Sequence, residues 1–185
     1  MRTRKVSPEV FFAADRVVTV ARDDLAFLRE AADATPRRKA RVCAHEDADD
    51  LLHEMIVILK LDTCMLPDKH LTKVESYHII QGLADVVLYD EAGNIGDVVR
   101  LGDYASGRPF YLRVRTPAFY HSLIIRSDVL IYHETATGPF RKSDMVVAPW
   151  TPPESDAARV KAFMCDLERR VDQFLARREK SGSTN

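Results

Sequence analysis

Apolar and polar positions change their period twice along this chain. From about residue 56 to residue 150 they fall into short runs, some alternating every second position and some apolar throughout. The runs predict strands at Met55–Leu59, Thr63–Leu66, Glu75–Gln81, Leu83–Tyr89, Gly96–Leu101, Tyr111–Val114, His121–Arg126, Val129–Thr135 and Met145–Ala148. Asp90-Glu91-Ala92-Gly93-Asn94 reads as a hairpin turn, and smaller Gly, Pro or Ser-Asp breaks separate the other runs. Short strands at this spacing predict a mainly β chain, an antiparallel sandwich or barrel rather than a βαβ sheet. Beyond Pro152-Pro153 the period becomes helical. With Ser155 or Asp156 at the N-cap, Val160, Phe163, Met164, Leu167, Val171, Phe174 and Leu175 form one stripe to about Arg178. The tail Glu179–Asn185 reads as disordered.

Ahead of residue 56 the texture is mixed. Val17-Val18-Thr19-Val20 predicts a short strand. Asp23 or Asp24 is placed to cap a helix through about Ala32, with Leu25, Leu28 and Ala32 on one stripe and Thr35-Pro36 at its end. Arg37-Arg38-Lys39, with Arg41 close behind, reads as a solvated turn rather than a ligand site. Asp49-Asp50 allows a helix through Leu51, Met55 and Leu59, but Met55–Leu59 equally suits a buried strand. Periodicity leaves both open.

At 185 residues the chain is long enough for one domain with a sizeable core. A formal net charge of −1 predicts no general attraction to nucleic acid or membrane. No run approaches a membrane span. The apolar stretch Val10–Ala14 is cut by Asp15 and Arg16, too short for a signal-peptide core. Cys43, Cys64 and Cys165 are widely spaced, with no CxxC, and fit a reducing compartment without a disulfide framework. The expected location is the cytoplasm.

The chemistry concentrates in Pro67-Asp68-Lys69-His70-Leu71-Thr72-Lys73-Val74-Glu75 and, far downstream, Pro117-Ala118-Phe119-Tyr120-His121. Strand alternation puts Asp68 and His70 on one face, with Lys69 opposite. Glu75 shares a face with Tyr77, Ile79 and Gln81, while His78 points the other way. His121 shares its face with Leu123 and Ile125. Two carboxylates and two imidazoles among apolar neighbours suit a hard-to-borderline divalent metal inside a β-barrel.

The arrangement Asp68-x-His70-x4-Glu75-x6-Gly82, followed by Pro117-x3-His121, is similar to the metal motifs HxHx(3–4)Ex6G and PxGxxH of the cupin superfamily. Within it, Arg41-Val42-Cys43-Ala44-His45, Pro67 to His70, Glu75-Ser76-Tyr77, Gly82, Glu134, Gly138-Pro139-Phe140 and Ala148-Pro149-Trp150-Thr151-Pro152 together resemble the WbuC family of cupin-fold metalloproteins. The likeness spans roughly residues 16 to 154. It implies an antiparallel double-stranded β-helix, or jelly-roll barrel, at 41–152, to which an N-terminal strand/helix extension at 1–40 and a C-terminal helix at 153–178 are additions. It also implies a single divalent metal (Mn, Fe, Zn or Ni) held by Asp68, His70, Glu75 and His121, and a homodimer. Such proteins are often associated with bacterial surface-polysaccharide gene clusters, which points to a sugar or sugar nucleotide as ligand.

Two departures stand out. Asp68 occupies the place of the family's first His, and Phe119 that of the superfamily's Gly. Either Asp68 binds, giving two His and two carboxylates, or it is too short to reach, leaving His70, Glu75 and His121. Glu134 shares a face with Tyr132 and is a candidate for orienting a metal-bound His, carrying a proton with Glu75, or bonding backbone groups. His45, Tyr77 and Tyr132 are candidates for the substrate pocket. His133, Cys43 and Cys64 read as structural, and Trp150 as the anchor of the crossing to the last helix. A metal-dependent enzyme and a non-catalytic ligand-binding or regulatory cupin both remain open.

Overall fold

The computed structural model describes residues 1–114 and 119–182. Its strands are β1 Thr3–Lys5, β2 Val10–Ala13, β3 Lys39–Cys43, β4 Leu52–Lys60, β5 Asp68–His70, β6 Glu75–Gln81, β7 Leu83–Tyr89, β8 Ile95–Gly102, β9 Tyr111–Val114, β10 Tyr120–Ile125, β11 Val129–Thr137 and β12 Met145–Val147. Its α-helices are α1 Arg22–Asp33 and α2 Ala157–Gly182. Among the described residues one sheet runs β1-β2-β3-β4-β11-β6-β9 and the other β12-β5-β10-β7-β8.

The strands from β4 to β11 pair as nested antiparallel couples: β7 with β8, β6 with β9, β5 with β10, and β4 with β11. Successive couples alternate between the two sheets. That winding is a jelly roll, a cupin-type double-stranded β-helix extended by a strand–helix segment in front and a long helix behind. The pairing of β2 with β3 is parallel, which makes the larger sheet mixed.

Alternation sorts the apolar side chains into three layers. Cys43, Met55, Val57, Leu59, Tyr77, Ile79, Ala84, Val86, Leu123, Ile125, Leu130 and Tyr132 fill the space between the sheets. The opposite faces of β3, β4 and β11 carry Ala40, Val42, Ile58, Val129 and Ile131 against Leu28 and Ala32 of α1. Val87, Tyr89, Val98, Tyr120 and Ile124 cover the outside of the smaller sheet and receive Val160, Met164, Leu167 and Val171 of α2. Trp150 stacks edge-on against Tyr120 at 4.7 Å, where the chain crosses to α2. Gly93 lies so close to this indole that a Cβ there would stand 2.9 Å from the ring.

Several expectations need correction. Val17–Val20 is not a strand: Val17 is 79 % exposed, and the sheet-forming residues are instead Val10–Ala13. Thr63–Leu66 is a connection. The Thr63 hydroxyl accepts from Lys60 N and donates to Arg38 O, which closes a turn in place of a ladder. Met55–Leu59 lies in a strand, and no helix starts at Asp49. Ala21 stands at the N-cap of α1, with the Asp24 carboxylate accepting from its backbone N–H at 2.7 Å. Asp156 does accept from Arg159 N at the start of α2. The boundary expected at residues 40/41 falls inside β3, and α2 continues past Arg178 to Gly182, so Glu179–Gly182 is helical. The rest of the expected disordered tail, 183–185, lies outside the described residues, as do Pro117 and Ala118 of the downstream motif.

Candidate functional site

Glu75 opens β6 and pairs across to Ala136 of β11, while His121 of β10 pairs across to Asp68 of β5. The sheets face one another, so both strands aim these side chains into one end of the barrel. His121 Nε2 lies 2.6 Å from Glu75 Oε1, and His70 Nε2 lies 3.4 Å from Glu75 Oε2. Tyr77, two residues along β6, donates its hydroxyl to Glu75 Oε1 at 2.9 Å and stands 3.3 Å from His121 Nε2. Glu75, Tyr77 and His121 are buried.

Burial pushes the Glu75 carboxyl up, but hydrogen bonds and charge from His121 and His70 outweigh it and hold the group well below the usual carboxylate range. The same bonds raise both imidazoles. For His70 the Glu75 bond is the largest influence; for His121 burial opposes the rise and Glu75 overcomes it. The result is a buried carboxylate shared by two imidazoles with strengthened affinity for protons.

Asp68 is close enough for both imidazoles to favour its charge, but burial prevails and raises its pKa. Its carboxylate makes no hydrogen bond or ion pair with the described residues. Its short side chain leaves the bonding to Glu75. Glu134 is half-buried on the face of Tyr132, and burial with the neighbouring Glu75 charge pushes it up to about 7. Tyr132 packs edge-on against Tyr77 at 5.3 Å, and both are buried, so they wall the site. The His45 ring stacks on His53 at 4.1 Å, and its Nδ1 pairs with the Glu54 backbone. His133 faces away, 3.7 Å from Glu54. Sequence reasoning passed over Lys73 as a site residue and read the Arg41 segment as a turn. Their strand parity with Glu75 and with Cys43 was the available signal.

A divalent ion with ligands near 2.1 Å sets neighbouring donors about 3 Å apart. The donor chemistry here, two imidazole Nε2 atoms and a carboxylate, fits such an ion. The 3.4 Å contact is near that spacing, whereas the 2.6 Å contact is a closed hydrogen bond. As they stand, no three His, Cys, Asp or Glu side chains among the described residues are arranged to hold a metal. Uptake therefore requires the His121–Glu75 bond to open.

A family model described as a domain of unknown function, DUF6016, matches residues 20–101. A comparison with curated proteins finds none that matches. Among solved structures, a structural-genomics target from Shewanella oneidensis is 15 % identical, with a TM-score of 0.46 over 56 % of this chain and 66 % of that one. The Cnp3 cupin domain of Schizosaccharomyces pombe is 13 % identical, TM-score 0.42, over 54 % and 64 %. A Klebsiella pneumoniae protein described as having a double-stranded β-helix domain is 13 % identical, TM-score 0.45, over 60 % and 84 %. This chain thus spans less than two thirds of the Shewanella and S. pombe chains.

Proposed function

We propose that this chain is a small-molecule-binding cupin-type protein in which His70, Glu75 and His121 take up a divalent metal ion, with Asp68 beside them. The observation that carries the reading is one buried carboxylate whose two oxygens each face an imidazole Nε2 at the polar end of an apolar barrel. The ion, Mn, Fe, Zn or Ni, would act as a Lewis acid on a ligand carbonyl or hydroxyl. The chain's own groups do the rest. Tyr77 orients Glu75, Glu75 holds both imidazoles, and Glu134, titrating near 7, is suited to give or take a proton. A WbuC-type role on a sugar or sugar nucleotide, in a cytoplasmic homodimer, belongs to the same proposal and rests on the sequence motifs.

The second reading is a non-catalytic binding module without a metal. The short His121–Glu75 bond favours it, since it satisfies both groups with no ion. Elemental analysis after equilibration with Mn, Fe, Zn or Ni separates the two. The metal reading predicts about one equivalent in the wild type and none in His70→Ala or His121→Ala. Full retention in both variants contradicts it. Asp68→His is expected to hold metal more tightly than wild type, because a longer side chain with an imidazole donor then reaches the centre.

A further inference from the structure

Two cations, Lys73 and Arg41, lie near Glu134 and are in ion-pair contact with no carboxylate among the described residues. Thr137 N donates to Val74 O at 3.0 Å, and Val74 N donates to Thr137 Oγ1 at 3.1 Å. This continues the pleat of β6 backwards, so Lys73 falls on the inward face that carries Glu75 and Tyr77. Lys73 is only 5 % exposed, and its ammonium lies 4.4 Å from the centre of the Phe140 ring. Arg41 shares its face of β3 with Cys43, a member of the inner core, and its neighbour Val57 pairs onward to Tyr132. Arg41 nevertheless remains exposed.

The two charges act on each other unfavourably, and both act on Glu134. Neither has a carboxylate within ion-pair distance among the described residues, whereas the half-buried Arg38, Lys60, Lys69 and Arg126 each do. Asp144, Glu134 and Glu75 favour the Lys73 charge from a distance, yet burial outweighs them, so this ammonium over an aromatic face is incompletely compensated. The Arg41 guanidinium is near enough to act on it, and two such cations together suit a carboxylate or phosphate.

We propose that the barrel mouth binds the oxyanion of a small ligand, a carboxylate or a phosphate, between Arg41 and Lys73, leaving the rest of that ligand over the Glu75 centre. The assignment rests on the ligand-binding reading above and is independent of the metal.

The test is an NMR titration of protein stripped on a chelating resin, with inorganic phosphate in one arm and acetate in the other. The expected result is saturable movement of amide signals around Arg41 and Lys73 with at least one anion, and the stronger binder names the ligand class. Arg41→Gln and Lys73→Met are each expected to weaken binding at least about tenfold. The charge-keeping Arg41→Lys and Lys73→Arg should restore most of it, which a folding defect would not. No saturable binding of either anion, or equal binding by the two neutral variants, overturns the proposal. Because no metal is present, failure here and failure of metal uptake are told apart.

Discussion

Glu75 receives the Tyr77 hydroxyl and the His121 imidazole on one oxygen and faces His70 with the other. Removing it leaves two imidazoles and a phenol buried around a void. Breaking a buried pair from one side is costly, so Glu75→Ala should destabilise the metal-free protein by roughly 3 kcal/mol. Urea denaturation checks this, and an unchanged midpoint would refute the pairing. The pH dependence follows from the same groups. Glu134 rises from an ordinary 4.5 to about 7. Between those values the unfolded chain ionises while the folded chain does not, so stability falls as pH rises and the loss is complete above about 7. The raised His70 and His121 act in the same direction: their contribution is full below 6.5 and lost as pH climbs through their folded values. Glu75 acts oppositely, contributing above 4.5 and failing only in strong acid. The contribution of these groups should therefore be greatest in mild acid and decline towards pH 8, against the opposing contribution of His45 and His53, which burial lowers. In melting temperature, Glu134→Gln should flatten the part of the decline between 4.5 and 7. A parallel curve for that variant would contradict the burial of Glu134.

The two helices hold the barrel from opposite sides, and each does so through one stripe. Leu167 of α2 is 1 % exposed against Val87, Tyr89 and Ile124. Leu167→Ala should lower stability by about 3 kcal/mol through the cavity it opens, as read by chemical denaturation. A change below 1 kcal/mol would mean that the helix is not docked as described. The α2 stripe and β6 were legible in the sequence because their burial is one-sided, so period and face coincide, whereas β7, buried on both faces, was legible as a short apolar run bounded by turn signals. The segment β3 was not. Its inward positions include Lys39 and Arg41, so polarity hid a strand whose other face, Ala40 and Val42, is buried under α1. Val17–Val20 misled in the opposite sense. Its β-branched composition suits a strand, but no neighbouring backbone pairs with it among the described residues.

Across the whole molecule, nested strand pairing brings Asp68, His70, Glu75 and His121 from three strands to one end of the barrel. That convergence was legible from strand parity and motif spacing. What spacing does not specify is reach. Asp68 arrives on the right face and its carboxylate still bonds none of the described residues, whereas Tyr77, read as a pocket residue, supplies a hydrogen bond to the central carboxylate. Side-chain length and the competition for one carboxylate oxygen decide such details, and neither is periodic. The most direct test of the metal-centre reading is an anomalous difference map from crystals grown with Mn or Zn. The account predicts a peak between His70 Nε2, His121 Nε2 and Glu75, with the His121–Glu75 hydrogen bond opened. A featureless map with that bond intact would contradict it.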